Sequence, residues 1–151
     1  MTTKEFLSQA YLFDQRIKSK LEQVQSLRSL AEKASATLMP TPLSKTRHRS
    51  QIEDVIIKIV DLENEIGSSI TRLLELKQEI ATAIECVDNQ TYRTLLELRY
   101  LCFKRWDEIS AELGYERRYV LKVHDRAVQK IDQKRDTKRH KKTLENHSEV
   151  C

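Results

Sequence analysis

Residues 52–87 read IEDVIIKIVDLENEIGSSITRLLELKQEIATAIECV, and their apolar side chains keep step with a seven-residue repeat. Ile52, Ile59, Ile66, Leu73, Ile80 and Val87 stand seven apart, while Val55, Leu62, Leu76 and Ala83 fill the alternate seam and leave Ser69 as its weak position. An apolar spacing averaging about 3.5 residues over some five heptads marks a coiled coil, because an ordinary amphipathic helix drifts out of that register. Ile56, Ile70 and Ile84 lie beside the seam and widen it, so this helix is expected to touch more than one partner helix.

A weaker copy of the pattern occupies residues 3–36. Ala10, Ile17, Val24 and Ala31 form one seam and Phe6, Phe13, Leu27 and Ala34 the other, with Lys20 at the remaining position and Leu21 beside it to cover the gap. Pro40 and Pro42 lie between the two patterns, and a proline ring disfavours both helix continuation and a helical residue before it. The reading is a first domain over 1–88: helices at about 3–36 and 50–87, a proline-containing linker at 37–49, and a long antiparallel coiled-coil α-hairpin. Such a pair buries a seam without building a globular core. The leftover isoleucines then call for a homodimer through the hairpin, with Ile52, Ile59, Leu62, Ile66, Leu73 and Ile80 as its contact residues. The alternative is that the second helix folds back on the module that follows it in the same chain.

The 151 residues hold only two glycines and two prolines, 33% charged residues and 6% aromatics. That suits long helices and not a sheet, which needs turn residues every ten or so positions. The fold class is therefore all-α. Cys86, Cys102 and Cys151 are odd in number and far apart, so neither a zinc site nor a disulfide framework is expected, and no metal or cofactor. No long apolar run or leader-like segment occurs, so the expectation is a cytoplasmic protein with no membrane partner.

Charge is unevenly placed. Residues 1–90 carry 12 Lys/Arg against 13 Asp/Glu, residues 91–142 carry 15 against 8, and residues 143–151 carry two Glu and no base. A polyanion is therefore expected at the rear half.

In that half, a helix from near Thr91 carries Tyr92, Leu95, Leu96, Leu98 and Leu101, and a short one spans about Trp106 to Leu113 with Ile109 and Leu113 on one face. Gly114 supplies a left-handed turn residue that closes it. Beyond the turn, Val120, Val123, Ala127 and Ile131 fall at steps of three and four and point inward, leaving Arg117, Arg118, Leu121, Lys122, Asp125, Arg126 and Gln129 outside. A three-helix helix-turn-helix module is expected over 89–133, reading DNA with a helix at about 116–131, followed by a basic tail over 134–151 whose charge run from Lys134 to Lys142 extends that helix and then frays.

Residues 92–131 resemble sigma factor region four, through Leu96-x-Leu98-Arg99-Tyr100, Glu108-Ile109, Leu113-Gly114 and Val120-x-x-Val123 with Ala127. With heptad helices ahead of Leu96-Glu97-Leu98-Arg99-Tyr100-Leu101-Cys102-Phe103-Lys104, the whole chain resembles transcription regulators of the ArpU/RinA type encoded by phages and integrative elements. The resemblance implies that Arg117, Arg118 and Lys122 face bases and that Arg126 and Lys130 suit phosphates; Arg105 joins this DNA-binding set. An arginine fork donates two parallel hydrogen bonds to guanine, worth roughly 1–3 kcal/mol of discrimination. The chain departs from region four at Phe103, where a glycine is usual, at Arg105 and Glu116, which lack a short capping oxygen, and at Leu121, where a base is common.

Trp106 and Tyr115 read as core residues, and His124 and His140 as surface polar residues without catalytic company; no enzyme motif occurs. The expected function is a sequence-specific regulator that binds double-stranded DNA. The alternative is an interaction protein that docks on RNA polymerase and redirects or inhibits it.

Overall fold

The computed structural model describes residues 1–36 and 42–148, with side chains at 1–36 and 46–145. Within them run five α-helices, α1 (Thr3–Ala36), α2 (Pro42–Glu85), α3 (Gln90–Tyr100), α4 (Trp106–Leu113) and α5 (Arg117–Ser148), and no strand. No helix among the described residues is long and apolar enough to cross a membrane.

One helix boundary corrects the sequence reading. Residues 42–49, expected in the linker, are helical, because Pro42 stands first in α2. There its missing N–H is one the helix would leave unbonded anyway, and its fixed φ suits the first turn. Residues 37–41, with Pro40, lie outside the described residues. The basic run from Lys134, expected to extend the last helix before fraying, continues α5 as helix to Ser148. No glycine or proline follows Gly114, and Lys, Arg and Gln are good helix formers.

The chain divides into two compact units, one of Met1–Tyr11 with Glu75–Cys151 and one of Leu12–Leu74. The first turns of α1 and the last turns of α2 thus belong with α3–α5.

In the unit of Leu12–Leu74, Ile17 and Val24 of α1 bury against Ile59, Leu62 and Ile66 of α2, with Leu27, Val55 and Leu73 packed around them. The two segments run antiparallel: the Ala34 carbonyl meets the His48 ring, while Lys20 meets Glu65 at 2.7 Å. Of the seam residues named as dimer contacts, Ile59, Leu62, Ile66 and Leu73 thus turn toward α1 of their own chain. Lys20, at a seam position, lays its stem over the apolar surface and sends its ammonium outward to Glu65, with the side chain only 17% exposed. Leu21 is 50% exposed and does not cover that gap. Ile56 and Ile70 are exposed, whereas Ile84 is buried in the other unit.

In that other unit, Leu95, Ile109, Val120 and Val123 form a core for α3, α4 and α5, flanked by Tyr92, Leu98, Trp106 and Leu113. Leu7 and Ala10 of α1 and Leu76, Ile80, Ile84 and Val87 are also buried. The carbonyls left unpaired where α2 stops are taken up by side chains. Arg93 donates to the Val87 carbonyl at 2.8 and 3.1 Å, and Lys134 donates to the Cys86 carbonyl and pairs with Asp88 at 3.2 Å. Asn89 caps α3, its side chain accepting from the Tyr92 N–H at 3.1 Å. Near the start of α1, the Thr3 hydroxyl donates to Asp132, and the Arg135 guanidinium lies 4.4 Å from the Phe6 ring centre.

Candidate nucleic-acid interface

Two tight turns set α5 on its course. Between α4 and α5, Gly114 takes φ 69° and ψ 26°, and its N–H and that of Tyr115 bond the Ser110 carbonyl at 3.0 and 3.2 Å. Nothing lies within 4 Å of where a Cβ would stand, so only the left-handed backbone opposes a side chain there. Gly114→Ala should destabilise the protein by about 1 kcal/mol in urea titration, and Gly114→Asn by less.

Between α3 and α4 the left-handed residue is Phe103, at φ 58°. This conformation costs a non-glycine residue about 1–2 kcal/mol. The ring is held in compensation, with its edge on Tyr11 at 5.7 Å and the Lys77 ammonium 4.8 Å from its centre. Arg99 braces the same turn, donating to the Lys104 carbonyl at 3.0 Å while its guanidinium sits 4.3 Å from the Trp106 ring centre. Arg105 offers no side-chain cap to α4. Instead Glu108, three residues on, accepts the Arg105 N–H at 2.7 Å.

On α5, Val120, Val123, Ala127, Val128 and Ile131 are buried, as their spacing required of most of them. All six expected DNA-binding residues, Arg105, Arg117, Arg118, Lys122, Arg126 and Lys130, are exposed. Arg118, Lys122 and Arg126 follow one another at i, i+4 and i+8 along the face opposite the buried residues, with Lys130 at its edge. From Arg118 to Lys130 this row extends about 18 Å.

Its carboxylates are spoken for. Asp125 on the same face pairs with Lys4 at 3.2 Å, and Asp107 lies between Arg117 at 3.5 Å and Arg105 at 3.8 Å. Arg118, Lys122, Arg126 and Lys130 make no ion pair among the described residues. Two arginines open α5 and no acid stands in its first turn, an order that works against the helix dipole. An anion held there would reverse that penalty, since the first-turn amides and the guanidinium groups would then face the same negative charge.

His124, read from sequence as a surface residue, is 5% exposed. Its Nε2 meets the Tyr100 hydroxyl at 2.6 Å, and the Trp106 ring packs edge-on at 4.7 Å between centres. Burial first, then the nearby Lys4 charge, push its pKa down to about 4, against a smaller raising effect of Asp125. Burial pushes the Tyr100 phenol up to about 12. With the phenol protonated and the imidazole neutral, Tyr100 donates to Nε2, which places the ring proton on Nδ1. This buried hydrogen bond ties α3 to α5 beneath the basic face.

Tyr115, read as a core residue, is 40% exposed and meets Tyr119, 47% exposed, edge-on at 5.0 Å. The sequence reading passed over Tyr119. Its signal was the step of four from Tyr115 and its absence from the inward set of α5. The pair adds two hydroxyls and two apolar rings beside Arg117 and Arg118. Trp106 is half-buried between Arg99 and His124, as a residue of the core margin. Comparison of the chain with known protein families, with curated proteins and with solved structures finds no match.

Proposed function

We propose that this chain is a sequence-specific DNA-binding transcription regulator that lays the exposed face of α5 in the major groove. In this reading α1 and α2 serve as a coiled-coil hairpin, and α3, α4 and α5 as a helix-turn-helix whose last helix is the reader. The observation that carries it is the row of Arg118, Lys122, Arg126 and Lys130, exposed and without ion pairs among the described residues, on a helix backed by buried residues. Charges kept only for solubility are ordinarily interspersed with opposite ones. Here the nearby carboxylates pair with Lys4, Arg105 and Arg117 instead.

Arg117, Arg118 and Lys122 are placed at the leading turns to read base edges, and Arg126 and Lys130 further along to hold phosphates. The resemblance to region four and to phage and integrative-element regulators supports the same assignment. The test is selection of bound duplexes from a random pool by the purified protein. An enriched site, bound in a salt-sensitive way, is expected. Arg117→Ala with Arg118→Ala should erase the preference for that site while circular dichroism stays unchanged. A pool without enrichment, or unchanged selectivity of the double variant, counts against the reading. Co-purification with RNA polymerase in the absence of any duplex preference would favour docking on polymerase.

A further inference from the structure

The seam between α1 and α2 leaves two flanks of α2 uncovered in the unit of Leu12–Leu74, and they differ in chemistry. One flank carries Asp54, Lys58, Asp61, Glu65, Ser68 and Arg72, all exposed. The other, at alternating steps of four and three, carries Ile56, Val60, Glu63, Gly67, Ile70 and Leu74. Its four aliphatic side chains are 50, 49, 43 and 63% exposed. Arg28 of α1 pairs with Glu63 and so lies on this flank, as does Leu21, two turns earlier on the same face of α1. The spacing is that of a second heptad seam, and nothing among the described residues covers it.

Gly67 marks the flank further. Glycine is among the poorest helix formers, and a Cβ at this position would meet nothing within 4 Å. Packing within the chain therefore does not call for it, whereas close approach of another backbone does.

We infer that this flank is the interface of a two-fold homodimer in which α2 packs antiparallel on α2 of a second copy. The pattern itself names the occupant, because its steps of 4, 3, 4, 3 and 4 read the same in both directions. A two-fold axis beside residue 65 sets Ile56 against Leu74 of the second copy, Val60 against Ile70, and Glu63 against Gly67. Apolar meets apolar in both outer layers. In the central layer the one carboxylate faces the one position without a side chain, and Arg28 of its own chain neutralises it. A face that is its own complement is what an isologous contact requires, and a foreign helix has no need of that symmetry.

The dimer expected from sequence is thus kept, but on different residues: Ile59, Leu62 and Ile66 are used inside each chain, and Ile56, Val60, Ile70 and Leu74 join the copies. The test uses the full chain in sedimentation equilibrium up to about 0.1 mM. A dimer is expected, and Val60→Lys with Ile70→Lys should raise its dissociation constant at least 100-fold. Both positions are exposed in the single chain, so helix content by circular dichroism should not change.

Disulfide trapping fixes the geometry. With Cys86, Cys102 and Cys151 replaced by serine, a mixture of Val60→Cys and Ile70→Cys chains under a mild oxidant should give linked heterodimers. Val60→Cys alone should not link, since its two copies would lie about 15 Å apart along the helices. A monomeric wild type, a dimer that survives the double lysine variant, or efficient linkage of Val60→Cys to itself would overturn the proposal. No DNA enters these measurements, so their failure and that of the DNA-binding reading are separate results.

Discussion

Between pH 6.5 and pH 4 the protein should lose on the order of 3 kcal/mol of folding stability through one side chain, His124. In the unfolded chain the imidazole takes a proton near 6.5, while in the folded chain burial holds its pKa down to about 4. Within that window the unfolded state binds more protons, so stability falls as pH falls. Above the window the contribution is fully present, and below it both states are protonated and the loss stops growing. Protonation would also turn Nε2 from an acceptor into a donor facing the Tyr100 hydroxyl, 2.6 Å away. At the alkaline end Tyr100, pushed up to about 12, removes stability as pH rises from 10 through that value, because only the unfolded phenol then ionises readily. Urea titration of the wild type and of His124→Gln isolates the acid limb. The amide can still accept from Tyr100 but does not titrate, so the stability gap between the two proteins should narrow or reverse by about 3 kcal/mol from pH 7.5 to pH 4. A gap that stays constant would mean that His124 is not held neutral by its surroundings.

Sequence gives away most where water is excluded by a repeating pattern. Ile59, Leu62 and Ile66 face Ile17 and Val24 because seven-residue spacing keeps one stripe on one side of a helix, and no other side would be dry. Gly114 was legible for a related reason: few residues hold φ 69°, and a glycine just after an apolar helical pattern announces the turn. Phe103 hid the other turn, since its φ of 58° rests on a ring contact with Tyr11, far away in the chain. Pro42 misled because proline both stops a helix and starts one, and which it does depends on residues it does not touch in sequence.

The candidate site was legible in outline and not in depth. Exposure of Arg118, Lys122 and Arg126 follows from the inward steps of Val120, Val123 and Ala127. His124 occupies that inward series too, four residues after Val120 and three before Ala127, so its position pointed to burial. What could not be read was its partner, Tyr100, on a different helix. Nor could the pairing of Asp125 with Lys4, which offsets the carboxylate that stands among the cations of the outer face of α5.

Replacing Arg118, Lys122, Arg126 and Lys130 together with alanine should nearly abolish duplex binding, and partial replacements should divide the effect by kind. Each cation that neutralises a phosphate releases about 0.9 counterion, so log affinity against log salt loses roughly that much slope for each contact removed. Arg126→Ala with Lys130→Ala should then flatten the slope by nearly two, weakening specific and nonspecific duplexes alike. Arg118→Ala should leave more of the slope and cost about 1–3 kcal/mol on the selected site alone, the worth of a fork on a base edge. Fluorescence anisotropy from 50 to 200 mM salt, with the selected duplex and a scrambled one, measures both quantities. Because all four side chains project from the outside of α5, melting temperature should change little, which separates lost binding from lost fold. Equal slopes in wild type and quadruple variant would show that this face does not meet phosphate.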